Sequence, residues 1–290
     1  MCLKTTKVAY IYAFILPHQL DFRKHVWYNR INNNFNETAY GGISWRREYA
    51  WQPHKQRERK SYMAVDVDMK ALLESGAHFG HKTSRWHPKM APYIHSKRGE
   101  IHIINLEKTV EGLNKALPKL TEIVKSGKKV LFVGTKKQLS DIVKTAAESV
   151  EMPYVTVRWV GGTLTNVDTI HRQLKKLKDL ERRMASGELE NRYSKLEVQR
   201  FQEEIDLLNE RYGGIKEMTE QPAALIVVDA CEDKNAIKEA NNLHIPVIAV
   251  VDTNVDPTNI DYVIPGNDDS IKATQVFLDY FVAAIKEGKK

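Results

Sequence analysis

Hydrophobic residues follow two periods along this chain, and the switches between them mark its elements. KKVLFVG (128–134), MPYVTVRWV (152–160), PAALIVVD (222–229) and IPVIAVVD (245–252) are apolar runs of strand length. Runs without alternation suit strands covered on both faces, as in a parallel sheet. IHIINL (101–106) and the shorter DYVIPG (261–266) also read as strands. DMKALLESG (68–76), EKTVEGLNKALPKLTEIVKSG (107–127), EDKNAIKEANNL (232–243) and DDSIKATQVFLDYFVAAIKEG (268–288) carry apolar residues three and four apart, the helical period. Pro118 inside the second of these is expected to kink or break it. Thr135 with Gln138 has the spacing of a capping box that opens a further helix. Strand and helix in alternation predict a three-layer α/β/α domain around a parallel sheet.

One section breaks the alternation. No strand is predicted between Thr165 and Gly214, where Val167, Ile170, Leu174, Leu177, Leu180 and Met184 form one seam. Phe201, Ile205, Leu208 and Tyr212 form another. Apolar spacings of three and four predict two helices packed as an antiparallel coiled-coil hairpin. Thr165 with Asp168 and Ser194 with Glu197 are expected capping boxes, ASGELENRY (185–193) the turn, and Gly213-Gly214 the stop. The α/β domain is thus split into 63–164 and 215–290 by an insert at 165–214.

Residues 1–62 follow neither period. They hold 12 of the 25 aromatics, and INNNFNET (31–38) is polar and turn-prone. VAYIYAFIL (8–16) follows Lys4 and Lys7 as in a signal peptide, but it is short, Pro17 ends it, and no small-residue cleavage pattern follows. This segment is expected to be a disordered tail or a translated region ahead of a start at Met63, with an RNA-binding or targeting arm as the alternative.

Charge refines the picture. The chain's net charge of +7 suggests a nucleic-acid partner. Residues 1–62 supply it, with 11 Lys/Arg against 4 Asp/Glu, and 63–290 is neutral with 33 of each. That remainder is lopsided: 27 basic and 21 acidic residues in 63–219, 6 and 12 in 220–290. The acidic part is expected to face protein or solvent. The two cysteines, Cys2 and Cys231, imply no disulfide framework, which suits a reducing, cytosolic compartment. No apolar run reaches the length of a membrane span.

Most enzymatic readings lack their residues. GTKKQ (134–138) misses the second glycine of a phosphate-wrapping P-loop, no GxGxxG follows a strand, and GxSxG is absent. Asp229 and Asp252 each end a strand, where facing carboxylates could hold Mg²⁺ or merely cap the next turn. His78, His81 and His87 lie close together, but no cysteine is near and a zinc set would be incomplete.

What stands out is GAHFGHKTSRWHPKM (76–90) and its continuation. No acid occurs between Glu74 and Glu100, while Lys82, Arg85, Lys89, Lys97 and Arg98 fall there with Trp86 and Tyr93. Cations and flat side chains in a proline-stiffened irregular loop suit phosphate contacts and base stacking; a core role for Trp86 and some of the histidines is the alternative. RWVGGTLTN (158–166) adds Arg158 and the hydroxyls of Thr163 and Thr165 beside two glycines that permit close backbone approach. The candidate RNA-facing residues are Lys82, Arg85, Lys89, Lys97, Arg98, Lys136, Lys137, Arg158, Arg172 and Lys175, with no catalytic residue, cofactor or metal ligand among the expectations. A flavodoxin-like metal enzyme using Asp229 and Asp252, or a coiled-coil adaptor, are the competing classes.

Over 63–290, ESGAHFGHKTSRWHPKMAPYI, IHIINLEKT, VLFVGTKKQ, RWVGGTLTN and QPAALIVVDACEDKNAIKEANNLHIPVIAVVDTNVDPTNIDYVIPGNDDS resemble, in order, the S-two family of small-subunit ribosomal proteins of bacterial type. The resemblance implies a Rossmann-like parallel sheet with an inserted coiled-coil hairpin. It implies a non-enzymatic cytoplasmic protein of the small subunit that binds small-subunit rRNA between head and body. It also implies late assembly, neighbouring ribosomal proteins as partners and support for docking of the large S-one protein. Residues 1–62 have no counterpart in the family.

Overall fold

The computed structural model describes residues 67–290, Thr219 excepted, so the expectations for residues 1–62 lie outside the described residues. Met69–Glu74 (α1) opens the described part, capped by the Asp68 carboxylate, which accepts from the Lys70 N–H at 2.8 Å. Phe79–Lys82 (β1), Ile94–Arg98 (β2) and Ile101–Ile104 (β3) then form a three-stranded antiparallel sheet in the order β1-β3-β2. Leu106–Lys125 (α2), Val130–Val133 (β4), Ser140–Glu148 (α3) and Tyr154–Val155 (β5) follow. Val167–Ala185 (α4), the short Glu188–Arg192 (α5) and Lys195–Tyr212 (α6) make the insert. Ala224–Val227 (β6), Lys234–Asn242 (α7), Val247–Val251 (β7), Tyr262–Pro265 (β8) and Ile271–Lys289 (α8) complete the chain.

The main sheet is parallel, with strand order β5-β4-β6-β7-β8. Its central strands are buried at every position, which explains their unalternated sequence. Alternate residues feed two separate cores. Val130, Phe132, Ile226, Ile248 and Val250 join Leu113 and Leu120 of α2, Val143 of α3 and Phe277 and Phe281 of α8. Leu131, Val133, Leu225, Val227 and Ala249 join Ala236 and Ala240 of α7 and the apolar stripes of α4 and α6. Three layers, helices on sheet on helices, result. Phe132, Phe277 and Phe281 are fully buried, each contributing about 2–3 kcal/mol of transfer free energy.

Four local expectations fail for identifiable reasons. IHIINL does form a strand, but it pairs antiparallel with β1 and β2 and stands outside the parallel sheet. The stretch expected to be an irregular loop, 76–98, is instead the rest of this small sheet, with a 3₁₀ turn at Pro88–Tyr93. α2 runs unbroken through Pro118, held by buried neighbours on both sides of it, Leu117 and Leu120. Neither threonine capping box forms. α3 starts at Ser140, and Thr135 spends its hydroxyl on Asp233 at 3.0 Å. α4 starts after Asn166, and the Thr165 hydroxyl goes to Glu239 at 3.3 Å. The Ser194–Glu197 box does form.

Ile170, Leu174, Leu177, Leu180, Ile205, Leu208 and Tyr212 are buried, as their spacing requires. Their burial is shared with the sheet face and α7, so the two seams do not simply close on each other. Lys176 pairs with Glu204, and Asn209 donates to Glu181, and both pairs are 28 residues apart in sequence. The two long helices of the insert thus touch each other as well as the sheet.

The small sheet sits on the far end of the chain. The His81 N–H donates to Thr253 Oγ1 at 2.9 Å, and the His87 N–H to the Thr253 carbonyl at 2.7 Å. The Asn267 N–H donates to the Ala77 carbonyl at 3.1 Å, and Ser270 Oγ to the Ser75 carbonyl at 3.2 Å. On α2, Thr109 Oγ1 donates to the Pro265 carbonyl at 2.6 Å, and Thr121 Oγ1 to the Ala284 carbonyl at 3.1 Å.

Candidate nucleic-acid interface

The antiparallel register arranges the cations of 76–98. Lys82 of β1 and Arg98 of β2 both sit opposite Ile101 of the central β3. Directly opposed residues share a face, so Lys82, Ile101 and Arg98 form one row, about 10 Å across three strands. Lys97 sits opposite His102, one residue along and so on the other face. Trp86 leans on His102 there, with ring centroids 5.2 Å apart, and stays 37% exposed. The sheet thus offers two cations on one face, and a cation beside an accessible indole on the other. Lys82, Arg85, Lys97 and Arg98 are exposed, and among the described residues no ion pair engages them.

The remaining candidates divide. Lys137, Arg158 and Lys175 are exposed, and Arg172 is exposed with one bond to Thr169 Oγ1 at 2.9 Å. Lys89 is exposed but bound to Asp256 at 2.8 Å and Thr258 at 2.8 Å. Lys136 is the clear departure: it turns inward to Asp229 at 3.3 Å, Asp268 at 3.4 Å and Asp269 at 2.6 Å. Burial would lower its pKa, but the Asp269 bond and the other carboxylates outweigh that and raise it, so its charge is spent inside the protein. The histidines separate too. His81 points to Asp252, His87 Nδ1 accepts from the Lys89 N–H at 3.3 Å, and His78 stacks on Phe79 with burial lowering its pKa.

RWVGGTLTN is shaped by a residue that sequence reasoning passed over. Glu239 of α7 accepts from Trp159 Nε1 at 3.0 Å and the Gly162 N–H at 2.8 Å through one oxygen. Its other oxygen accepts from the Leu164 N–H at 3.0 Å and from the N–H and hydroxyl of Thr165, each at 3.3 Å. Burial opposes its ionisation, yet these donors outweigh it and leave the pKa lowered. Gly162 takes a left-handed φ of +91° in the turn. Trp159 and Thr163 are buried, and Thr163 Oγ1 donates to the Val160 carbonyl at 2.6 Å. The Thr163 hydroxyl is used internally and that of the exposed Thr165 is engaged by Glu239, while Arg158 is exposed.

Behind the small sheet lies an acidic cluster. Asp229 follows β6, Asp252 follows β7, and Asp268 and Asp269 follow β8, all at carboxyl ends of the parallel sheet. This is where open α/β sheets bind ligands. Here a nucleotide phosphate would meet four carboxylates, which disfavours it. Asp229 Oδ1 caps the following turn, accepting from the Cys231 N–H at 2.8 Å and the Glu232 N–H at 3.1 Å. Asp268 is pushed up to about 8, first by burial and then by Asp229 and Asp252. The charge halves of the sequence are therefore not spatial halves, because Lys136 and His81 of the basic part reach into the acidic one.

Asp233 gives a pH signature. It is 1% exposed, and burial raises it to about 7 against the two bonds from Thr135. A carboxyl with a raised folded pKa holds its proton more tightly folded than unfolded. Stability contributed by this group falls as pH rises from about 4 to about 7. A shift of this size corresponds to on the order of 2–4 kcal/mol. Urea midpoints of Asp233→Asn should fall less steeply across that window than those of the parent chain. Parallel profiles would show that Asp233 titrates normally.

Residues 72–288 match the family described as ribosomal protein S2. Among similar proteins, the small ribosomal subunit protein uS2 of Roseiflexus sp. (strain RS-1) is 50% identical over 223 residues, 77% of this chain and 85% of that protein. The uS2 protein of Roseiflexus castenholzii (strain DSM 13941 / HLO8) is 49% identical over 223 residues, 77% of this chain and 84% of its own. With the parallel α/β fold and the matched motifs in order, the chain belongs to the ribosomal protein S2 family.

Proposed function

We propose that this protein is a structural component of the small ribosomal subunit that binds small-subunit rRNA between head and body and supports subunit assembly and translation. Its relatives are named as small-subunit proteins. The observation that carries the RNA reading is the small sheet, whose Lys82, Arg85, Lys97 and Arg98 stand exposed and without ion pairs among the described residues. Lys137, Arg158, Arg172 and Lys175 extend this surface. Lys136 does not belong to it, and Lys89 contributes only if it leaves Asp256. Neighbouring ribosomal proteins are further partners, with support for docking of the S-one protein, the acidic part faces protein or solvent, and the cytoplasmic ribosome is its location. Among the described residues no helix is long and apolar enough to cross a membrane.

Phosphate contacts make affinity salt-dependent, with a slope set by the number of phosphates neutralised. The variant with Lys82, Arg85, Lys97 and Arg98 all changed to alanine should bind small-subunit rRNA at least about 10-fold more weakly at moderate salt, and its slope of log K against log salt should shrink by about 2–4. An unchanged slope in the variant, or a flat salt response in the parent chain, would refute this assignment.

A further inference from the structure

We propose that His81, Asp252 and Asp268 form a binding site for one divalent transition-metal ion of the zinc class. The site is separate from the RNA surface and does not depend on it. The three residues come from distant parts of the chain: His81 from β1, Asp252 from the end of β7, and Asp268 from the turn after β8. One donor atom from each lies within 4.8 Å of the other two. Tetrahedral ligands on bonds of about 2.0–2.2 Å lie about 3.3–3.6 Å apart, so closing on an ion requires the donors to draw in by up to about 1–1.5 Å, within reach of side-chain rotation.

Two further observations point to a ligand. Asp252 and Asp268 are each 1% exposed, and Asp268 Oδ2 has no hydrogen-bond partner among the described residues. A carboxylate oxygen shut away from water without a donor is costly. His81 Nδ1 lies 2.9 Å from Asp252 Oδ2, close enough for a strong hydrogen bond. An imidazole nitrogen and a buried carboxylate oxygen held this close are placed as two ligands of a shared cation would be. Lys136, the one ammonium here among the described residues, is engaged with Asp229 and Asp269 as well as Asp268, so the carboxylates outnumber the cations. An ion of charge +2 offsets that excess.

The surroundings fix the ligands in place. The His81 N–H is tied to Thr253 Oγ1 at 2.9 Å, and Asn254 Nδ2 lies 3.4 Å from His81 Nε2 on the outer edge of the ring. β1 can approach this closely because residue 80 is glycine. A Cβ there would lie 2.7 Å from Thr253 Cγ2 and 3.2 Å from Asp252 Oδ1. One imidazole nitrogen with two carboxylate oxygens is a donor set for zinc, and less suited to magnesium, which takes oxygen donors. Water would supply the fourth donor. Such an ion would clamp the small sheet to the ends of β7 and β8, a structural role.

The test uses the full chain, stripped with a chelator and titrated with zinc chloride by calorimetry, with magnesium chloride in parallel. The expected result is one zinc ion per chain, and a thermal midpoint that rises with zinc as binding to the folded state requires. His81→Gln and Asp268→Asn should each lose the midpoint rise and bind at least about 10-fold more weakly. His87→Ala, with its imidazole outside the cluster, should behave as the parent chain. Cobalt loading provides a second readout, since tetrahedral coordination gives visible absorption that His81→Gln should abolish. Equal zinc binding by parent and both ligand variants, loss of binding in His87→Ala alone, or a preference for magnesium would each overturn the proposal.

Discussion

Glu239→Ala is expected to destabilise the protein by about 3 kcal/mol and to release the 159–165 loop before the rest of the fold opens. One carboxylate there takes five donors, three of them backbone N–H groups. Each charge-assisted bond contributes roughly 1.5–3 kcal/mol, and exposure of part of the Glu239 side chain keeps the sum well below a simple total. Alanine leaves the Trp159 indole and the Leu164 N–H without partners in a largely buried setting, which adds desolvation cost. Glutamine is no rescue. It keeps one acceptor oxygen but turns an NH₂ group toward the other donors. The measurements are the urea midpoint and amide exchange at Gly162, Leu164 and Thr165. Unchanged exchange at these three amides would show that the loop holds itself.

Gly112→Ala should cost roughly 2 kcal/mol or more, even though it replaces a mid-helix glycine with the best helix former. Propensity alone favours alanine by about 1 kcal/mol. Packing decides otherwise. The new Cβ would lie 2.5 Å from the Val263 carbonyl oxygen and 3.3 Å from the Ile264 Cα, both backbone atoms of β8. β8 is fixed by its pairing with β7, and α2 by Thr109 and Thr121, so neither side yields cheaply. Gly161→Ala, with open space around its Cβ, is the control and should be close to neutral. If Gly112→Ala raised the thermal midpoint, the helix–sheet contact would be looser than these distances describe.

The sequence was most legible where burial alone sets the pattern. VLFV, ALIV and VIAVV are apolar at every position because each residue faces one core or the other. The helix stripes were legible for the same reason, but periodicity reports that a stripe is buried and not what buries it. That is why Leu177 and Leu208 announced a buried stripe but not the sheet residues that share its core. IHII looked like its parallel neighbours because a short apolar run carries no sign of its partners. Of the candidate site, the exposed cations were legible and their pairing was not. Lys136 and Lys137 are adjacent and alike in sequence, yet one enters a carboxylate cage through contacts 132 and 133 residues distant. Glu239 and Asp268 left no local trace, since each acts on residues brought near only by the fold.

The seat of the small sheet has a consequence for the order in which a nascent chain can take shape. β1 is among the first of the described elements made, but the groups that hold it arrive 172 residues later at Thr253 and 195 residues after Ser75 at Ser270. Contacts of such separation are slow to close and demand most of the polypeptide. A chain still emerging from the tunnel can shape β1–β3 locally but has nothing to anchor them to. The cationic rows therefore reach their final orientation only when translation of the protein is nearly finished.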